Sequence, residues 1–325
     1  MDIQKIKMDY YDNLSLYKRL EEEAVHIINE EIKENEIKIH SILSRVKDSE
    51  SFLQKVERKR YKDPFNETTD LVGVRVVCLF LSDLKRIEQL IKANFDLKQE
   101  ENKVNENQIE FGYMSYHYIV TLKDEYTGHR YDRIKGIPFE IQVRTISMDA
   151  WANISHYLDY KTDNDIPAEL KKDFNAISGL FYVADTHFEL FYKETQENKR
   201  EIEHKITDIL TDNSSETEEE INLDSLNIYL RKKFPERLHS SESGVSELVN
   251  ELRTYGYNTI NKLDKLIKSG LNAALEYENQ NKPSGGGNYQ DVGIIRMLLA
   301  IMDEQYRGNK YTDDHSYEKY RNLID

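Results

Sequence analysis

Basic side chains are concentrated in one short segment of an acidic chain. Residues 45–62 hold seven Lys or Arg against three Asp or Glu, whereas the 325-residue chain has 60 acids, 45 bases and a net charge of −15. Lys55 and Lys59, four residues apart, share one face of a predicted helix. Arg45 and Lys47 share one side of the predicted strand before it. The segment is either a solvated helix face or two basic pairs that converge on a polyphosphate.

Acidic residues occupy strand positions where carboxylates are unfavourable. Asp70 precedes the apolar run LVGVRVVCLF, which predicts a strand buried on both faces, and Glu140 lies inside FEIQVRT. Alternation along the second strand projects Glu140, Gln142 and Arg144 from one face. These side chains are either a structural salt-bridge ladder or a set that binds metal, nucleotide and phosphate. Two acids on neighbouring strands are a usual way to hold Mg²⁺ over a triphosphate.

Tyr113 and His117 lie in FGYMSYHYIV, and each alone is a weak indication of a site. The Gly-Tyr pair predicts a bend ahead of a strand, and an aromatic ring at a bend can stack on a base. A histidine on a strand, such as His117, is more often part of a half-buried core than a catalyst.

The elements that position these residues follow from apolar periodicity. Strands are predicted around residues 37–43, 71–80, 95–98, 114–122 and 138–145, and helices over residues 14–32, 49–60, 84–91, 146–159 and from Pro167 towards residue 206. This order predicts one sheet domain over residues 1–210. Residues 211–224 contain six acids and no base and predict an acidic linker. Residues 225–325 predict an all-helical domain, whose apolar stripes suit a homo-oligomer among other roles.

Composition excludes several classes of protein. No stretch approaches the roughly 18 apolar residues of a membrane span, and the N-terminus lacks the apolar segment of a signal peptide, so a cytoplasmic protein is expected. The single cysteine, Cys78, cannot form an internal disulfide or a Cys-based zinc site, and we expect a buried thiol. The net charge argues against DNA binding and against a large tRNA footprint.

Five segments occur in the order and spacing of one family. Together they resemble the synthetase domain of the RelA/SpoT alarmone enzymes, and they are most similar to the stand-alone small alarmone synthetases, over about residues 10–195. The segments are SRVKDSES (44–51), TDLVGVRVV (69–77), GYMSYH (112–117), EIQVRT (140–145) and DAWANISHYLDYK (149–161). The resemblance implies an α+β fold, with a nucleotidyltransferase-like mixed β-sheet flanked by helices and followed by the all-helical C-terminal region.

The resemblance also implies an activity, a cofactor and a set of site residues. The activity is (p)ppGpp synthesis, in which pyrophosphate passes from ATP to the 3′-hydroxyl of GDP or GTP, with no hydrolase domain. ATP would be bound by Arg45, Lys47, Lys55, Lys59 and Arg75, with the two arginines on either side of the adenine. Mg²⁺ would be bound by the catalytic residues Asp70 and Glu140, and Glu140 would also be the base for the 3′-hydroxyl. The acceptor nucleotide would be bound by Tyr113, His117, Gln142, Arg144 and Asp149.

Asp149 departs from the family, which has Asn or His at this helix position. An ionised carboxylate accepts two hydrogen bonds and so matches guanine N1–H and N2–H₂, but an acid in a first helical turn is also favoured by the helix dipole alone. Three other functions stay open: pyrophosphorylation of the 3′ end of tRNA, synthesis of adenosine alarmones, and a non-catalytic nucleotide-sensing module. Under the tRNA alternative, Arg58, Arg60 and Lys62 would contact the RNA.

Overall fold

Residues 2–102, 115–158, 167–211, 218–283, 285–311 and 315–323 are described by a computed structural model. Their strands are β1 (Ile39–Val46), β2 (Val72–Cys78), β3 (Phe95–Asn102), β4 (Tyr116–Leu122) and β5 (Phe139–Thr145). Their α-helices are α1 (Ile3–Glu34), α2 (Ser49–Lys59), α3 (Pro64–Glu67), α4 (Leu81–Asn94), α5 (Ile146–Tyr157), α6 (Ala168–Leu210), α7 (Leu223–Lys233), α8 (Glu242–Thr254), α9 (Ile260–Gln280), α10 (Asp291–Met302) and α11 (Glu304–Lys310). A 3₁₀ helix spans His315–Leu323. The predicted sheet with flanking helices and the predicted helical C-terminal region are both present.

The five strands form one mixed sheet in the order β1-β2-β5-β4-β3. β2 and β5 run parallel to each other, and the other neighbouring strands are antiparallel. In the parallel pair, Gly73 lies beside Glu140 and Arg75 lies beside Gln142. The sheet therefore joins the segments TDLVGVRVV and EIQVRT, which are far apart in the chain.

Alternate residues of β2 and β5 point to opposite faces of the sheet. Val72, Val74 and Val76 are almost fully buried and pack with α1 and α4 in the main core. Gly73 and Arg75, which alternate with them, are only half-buried. The prediction that β2 is buried on both faces is therefore wrong, because part of its second face opens onto a cavity.

Cys78, at the end of β2, is a free and fully buried thiol, as predicted. Burial, and to a lesser extent the charge of Asp83, raise the pKa of this thiol to about 12. The group therefore stays protonated at neutral pH and behaves as a small apolar residue of the core.

Helix α5 begins directly where β5 ends. The Thr145 hydroxyl accepts a hydrogen bond from the Met148 N–H group at 3.1 Å and caps the helix. Asp149 therefore falls in the first turn, close to the end of the sheet. Two residues further on, Trp151 packs on Phe174 of α6 with 4.3 Å between ring centroids, which holds α5 in place.

The chain divides into two compact units, Met1–Tyr192 and Lys193–Asp325, and the division falls inside α6. The second unit has its own apolar core, to which the C-terminal part of α6 contributes Ile202, Ile206 and Ile209. Among the described helices, none has the length and apolar composition that would let it cross a membrane.

Candidate active site

A cavity of about 220 Å³ opens on the polar face of the sheet. It is lined by residues of β1, β2 and β5 and by the acid that precedes β2: Leu43, Ser44, Arg45, Asp70, Gly73, Val74, Arg75, Glu140 and Gln142. Two rows of paired residues cross its floor, one with Arg45, Gly73 and Glu140 and the other with Leu43, Arg75 and Gln142. Strand pairing therefore collects one carboxylate, two guanidinium groups and an amide around the cavity, and Asp70 adds a second carboxylate from just before β2.

Gly73 leaves the middle of the first row without a side chain. Outside its own chain neighbours, a Cβ atom built at this position would meet no atom within 4 Å. Glycine inside a strand weakens the strand and often marks the close approach of a ligand or of another backbone. The missing side chain keeps the cavity open between Arg45 and Glu140.

The Glu140 carboxylate is held by two side chains of the same sheet face. Its Oε1 accepts a hydrogen bond from His117 Nδ1 at 2.7 Å, and its Oε2 accepts one from Gln142 Nε2 at 2.8 Å. Burial raises the pKa of Glu140, but the neighbouring His117, the Gln142 amide and the charge of Lys55 together outweigh burial and lower the pKa to about 2. The group is therefore ionised throughout the neutral range.

His117 is fixed at its other nitrogen by Ser115. The Ser115 hydroxyl and His117 Nε2 are hydrogen-bonded, and both side chains are largely buried. A carboxylate only accepts hydrogen bonds, so His117 Nδ1 carries a proton, and in the neutral ring Nε2 accepts from the serine hydroxyl. Ser115, His117 and Glu140 thus form one hydrogen-bonded chain that orients the carboxylate at the cavity.

Asp70 is the counter-ion of two predicted phosphate-binding lysines. Lys47 Nζ lies 3.1 Å from Asp70 Oδ2, and Lys55 Nζ lies 2.9 Å from Asp70 Oδ1. Within the described residues the buried Oδ1 makes no directed hydrogen bond, so its contact with Lys55 is one of charge. The Tyr10 hydroxyl donates to the Lys47 carbonyl at 2.7 Å and ties α1 to this corner. Both ammonium groups are therefore held beside the cavity through Asp70.

Arg75 is bound to three side chains at the edge of the cavity. Its Nε donates to Gln142 Oε1 at 3.3 Å, and its Nη1 donates to Asp149 Oδ1 at 3.0 Å and to Asn153 Oδ1 at 3.3 Å. Arg144, on the same face of β5, is buried and donates to the same Asp149 oxygen at 3.3 Å. Burial and the charge of Arg75 lower the pKa of Arg144, while Asp149 acts in the opposite direction. Asp149 is therefore the shared counter-ion of two guanidinium groups.

The sequence that builds this cavity matches known proteins. A sequence model of the region found in RelA and SpoT proteins covers residues 44–165. GTP pyrophosphokinase YwaC of Bacillus subtilis is 32% identical to this chain over 147 residues, which are 44% of this chain and 68% of YwaC. The chain belongs to the RelA/SpoT family. The resemblance seen in the five sequence segments is thereby confirmed.

Two further comparisons show which members of the RelA/SpoT family this chain resembles. GTP pyrophosphokinase YjbM of Bacillus subtilis is 32% identical over 144 residues, which are 43% of this chain and 66% of YjbM. The crystal structure of the small alarmone synthetase 1 from Bacillus subtilis matches with a TM-score of 0.50 and 26% identity, over 58% of this chain and 98% of that protein. The predicted fold class is confirmed: the RelA/SpoT region has the fold of a small alarmone synthetase.

The RelA/SpoT region brings most of the predicted site residues together. Those that line the cavity are Arg45, Asp70, Arg75, Glu140 and Gln142. Those that contact this set directly, or through Asp149, are Lys47, Lys55, His117, Arg144 and Asp149. Lys59 lies on the exposed side of α2, and Tyr113 lies outside the described residues. The roles of all these residues stay predictions.

Gly73, Ser115 and Asn153 belong to the site but do not stand out in the sequence. A glycine inside an apolar strand is itself a sign of close approach, and that signal could have found Gly73. Ser115 precedes His117 by two residues and Asn153 follows Asp149 by four, so the spacing already placed each on the same face as a predicted residue. Serine and asparagine are common in such places, and only their contacts single them out.

Asp70 and Glu140 are the carboxylates that fit a divalent cation. Both line the cavity, and the buried Asp70 Oδ1 has no directed hydrogen bond to a described residue. In the part of the chain that the structure describes, no group of three or more His, Cys, Asp or Glu forms a metal site. Mg²⁺ usually keeps several waters and binds through one or two carboxylates plus substrate phosphates. The donor set therefore fits Mg²⁺ that arrives with a nucleotide.

Proposed function

We propose that the chain is a (p)ppGpp synthetase, a GTP pyrophosphokinase that transfers the β,γ-pyrophosphate of ATP to the 3′-hydroxyl of GDP or GTP. One observation carries the proposal: two carboxylates and two arginines line one cavity around the empty position of Gly73, inside the region matched to RelA and SpoT proteins. The relatives named GTP pyrophosphokinase select this reaction among phosphoryl-type transfers. ATP, GDP and GTP are then the partners, and the cytoplasm that supplies them is the proposed location.

The donor end of the site is assigned to β1, α2 and β2. Arg45 and Arg75 line the cavity from neighbouring strands and are assigned to the adenine, because guanidinium groups stack on flat rings. The ammonium groups of Lys47, Lys55 and Lys59 are assigned to the phosphates, and the first two are already held beside the cavity by Asp70. Phosphoryl-type transfer depends mainly on positioning and on neutralisation of charge, which cationic side chains provide.

Asp70 and Glu140 are assigned to Mg²⁺. When bound, the cation would neutralise charge on the phosphates during transfer. The low pKa of Glu140 suits a cation ligand better than a proton acceptor, because an efficient general base titrates near the working pH. We therefore assign Glu140 first to the cation and second to the 3′-hydroxyl proton.

The acceptor end is assigned to β4, β5 and α5. Gln142 lines the cavity next to Glu140, and His117 bonds the same carboxylate from β4. Tyr113, which precedes β4 in the chain, is assigned to stacking on the guanine. Arg144, near the end of β5, completes the assigned acceptor residues. Asp149, in the first turn of α5, was also predicted to bind the acceptor; it accepts hydrogen bonds from Arg75 and Arg144.

Product identification tests the proposal. The purified chain is incubated with ATP and Mg²⁺ alone and, in separate reactions, with added GDP, GTP or deacylated tRNA, and the products are identified by anion-exchange chromatography and mass spectrometry. We expect ppGpp from GDP and pppGpp from GTP, each with one AMP released. Products formed only from tRNA or only from adenosine nucleotides would contradict a guanine nucleotide acceptor. If no product forms in any of these reactions, the proposal that the chain is an enzyme is contradicted.

Arg45→Ala and Lys47→Ala should each raise the KM for ATP more than the KM for GDP or GTP. Both residues belong to the assigned donor end. Loss of a cation–π contact with adenine (Arg45) or of a charge-assisted hydrogen bond to phosphate (Lys47) predicts an increase of about tenfold. Steady-state kinetics with each nucleotide varied in turn measures the effect. Lys85→Ala is the matched control, because Lys85 is an exposed residue of α4, which packs on the other face of the sheet. A larger effect on the acceptor KM would show that the two ends are exchanged.

We propose residues 1–210 as the synthetase domain, residues 211–224 as its acidic linker and residues 225–325 as a helical domain with a separate role, such as homo-oligomerisation.

A chain that ends at Tyr192 should fold and synthesise product, because the described cavity residues all precede α5. A chain that ends at Asn213 should be less soluble, because it keeps three isoleucines of α6 without the rest of the second core. Sedimentation measures the solubility and association state of the two truncated chains, and product assays measure their rates of synthesis. A folded but inactive Tyr192 chain would contradict the proposal.

A further inference from the structure

We infer that Asp149 and Asn153 are positioning residues that hold the guanidinium group of Arg75 at the cavity, and that Asp149 does not itself contact the acceptor base. The inference rests on the proposed function for the identity of the nucleotides. Its physical basis is the set of contacts among these three side chains, Arg144 and Gln142.

Arg75 is fixed on one side and open on the other. Its Nε and Nη1 atoms donate to side chains of β5 and α5, whereas its Nη2 atom makes no hydrogen bond to any of the described residues. The side chain is 23% exposed and lines the cavity. A rigid, planar guanidinium group that is bonded at two nitrogens keeps its plane and its third nitrogen in a fixed direction. Arg75 is therefore preorganised for a ligand in the cavity.

Both oxygens of Asp149 already accept hydrogen bonds. Oδ1 accepts from Arg75 at 3.0 Å and from Arg144 at 3.3 Å, and Oδ2 accepts from Asn153 Nδ2 at 2.9 Å. To pair with guanine N1–H and N2–H₂, the carboxylate would have to turn both oxygens to the base. That movement would leave the buried Arg144 guanidinium without this counter-ion, which is strongly unfavourable. The observed contacts therefore favour a carboxylate that stays with the two arginines.

Helix α5 provides the rigid support for this arrangement. Asp149 and Asn153 are four residues apart and lie on one face of the helix. The beginning of the helix is fixed by the Thr145 cap, and its middle is fixed by the packing of Trp151 on α6. Because Asn153 bonds both Asp149 and Arg75, it locks the carboxylate and the guanidinium into one geometry.

Charge explains why an acid suits position 149. Arg75 and Arg144 are close enough for the charge of one to lower the pKa of the other. An asparagine could accept a hydrogen bond from one guanidinium group, but it could not neutralise either charge. With Asp149 between them, the two arginines keep a single net positive charge, and Arg75 is the member of the pair that lines the cavity.

A double-mutant cycle on nucleotide binding tests the inference. The affinity for a non-hydrolysable ATP analogue is measured by calorimetry, with Mg²⁺ and without acceptor, for the full chain, Asn153→Ala, Arg75→Ala and the double variant. We expect Asn153→Ala to weaken binding about fivefold and to have no further effect once Arg75 is alanine. An equal loss in both backgrounds would overturn the inference, because Asn153 would then act without Arg75. Ser155→Ala, whose hydroxyl bonds the Trp151 carbonyl on the same helix, is the control.

Acceptor choice gives a second readout. Asp149→Asn is expected to weaken binding of the ATP analogue about tenfold and to leave the ratio of rates with GTP and ITP within about twofold of the wild type. If Asp149 reads guanine, the ratio should instead fall towards one, because ITP lacks the N2 amino group, and this result would overturn the inference. Binding is measured without turnover. A chain that passes the binding cycle but forms no guanosine product therefore contradicts the proposed function and not the role of Asn153.

Discussion

Glu140→Gln is expected to reduce the rate of pyrophosphate transfer at least about a hundredfold. The substitution removes a ligand of the cation and, in the second assigned role, a general base, which alone contributes about that much. The amide keeps the shape of the side chain, and its oxygen still accepts from one of the two donors that face the carboxylate. What disappears is the negative charge that faces the cavity next to Gln142 and His117. Steady-state kinetics with saturating ATP, acceptor and Mg²⁺ measures the loss.

Glu88→Gln is the matched control for this experiment. Glu88 pairs with Lys92 on α4, which packs on the other face of the sheet, and its replacement should leave turnover unchanged. Turnover of a folded Glu140→Gln protein within about threefold of the wild type would contradict the assignment, since a base or ligand is worth far more.

The same substitution has a consequence for stability that can be measured separately. The native contacts lower the pKa of Glu140 from 4.5 to about 2, so its ionised form stabilises the fold above pH 4.5. This contribution is lost as the pH falls from 4.5 towards 2. Glu140→Gln should therefore be less stable than the wild type at neutral pH, and the difference should shrink on acidification. Urea denaturation over a series of pH values tests this.

Gly73→Val is expected to abolish nucleotide binding without unfolding the protein. A Cβ atom at this position meets no atom within 4 Å beyond its chain neighbours, and valine suits a strand better than glycine does, so the thermal midpoint should match or exceed that of the wild type. The added methyl groups would occupy the cavity between Arg45 and Glu140. A displacement of about 1 Å can cost about a hundredfold in rate, and we expect at least that loss in kcat/KM for ATP.

Two further glycine variants make this result specific. Gly73→Ala adds a single methyl group and should give an intermediate loss. Gly136→Val is the matched control, because a Cβ at Gly136 also meets no atom within 4 Å but the residue lies in an exposed turn. If Gly73→Val binds the ATP analogue as tightly as the wild type, the assignment of ATP to the cavity beside Gly73 is contradicted.

The polar face of β5 could be predicted from its alternation. Glu140 and Gln142 share a face, as predicted, and both line the cavity. Arg144 belongs to the same face but is buried, because α5 begins immediately after β5 and places Asp149 against it. A two-residue period predicts which face a side chain is on, but not which later element covers it.

Contacts between distant segments could not be predicted from the sequence. Arg75 bonds Gln142, 67 residues further along the chain, because β2 and β5 pair in parallel. The apolar run of β2 led to the wrong prediction that both faces of the strand are buried, for a different reason. Hydropathy cannot distinguish a glycine that faces a core from one that faces a cavity, since Gly73 has no side chain in either case.

Alternate residues of β2 meet two different requirements within one short segment. Val72, Val74 and Val76 are constrained by the volume that they fill, whereas Gly73 and Arg75, between them, are constrained by what enters the cavity. Descendants of such a sheet can therefore exchange residues of the cavity face one at a time without a new core. Changes on the cavity face can therefore alter or abolish binding while the protein stays folded.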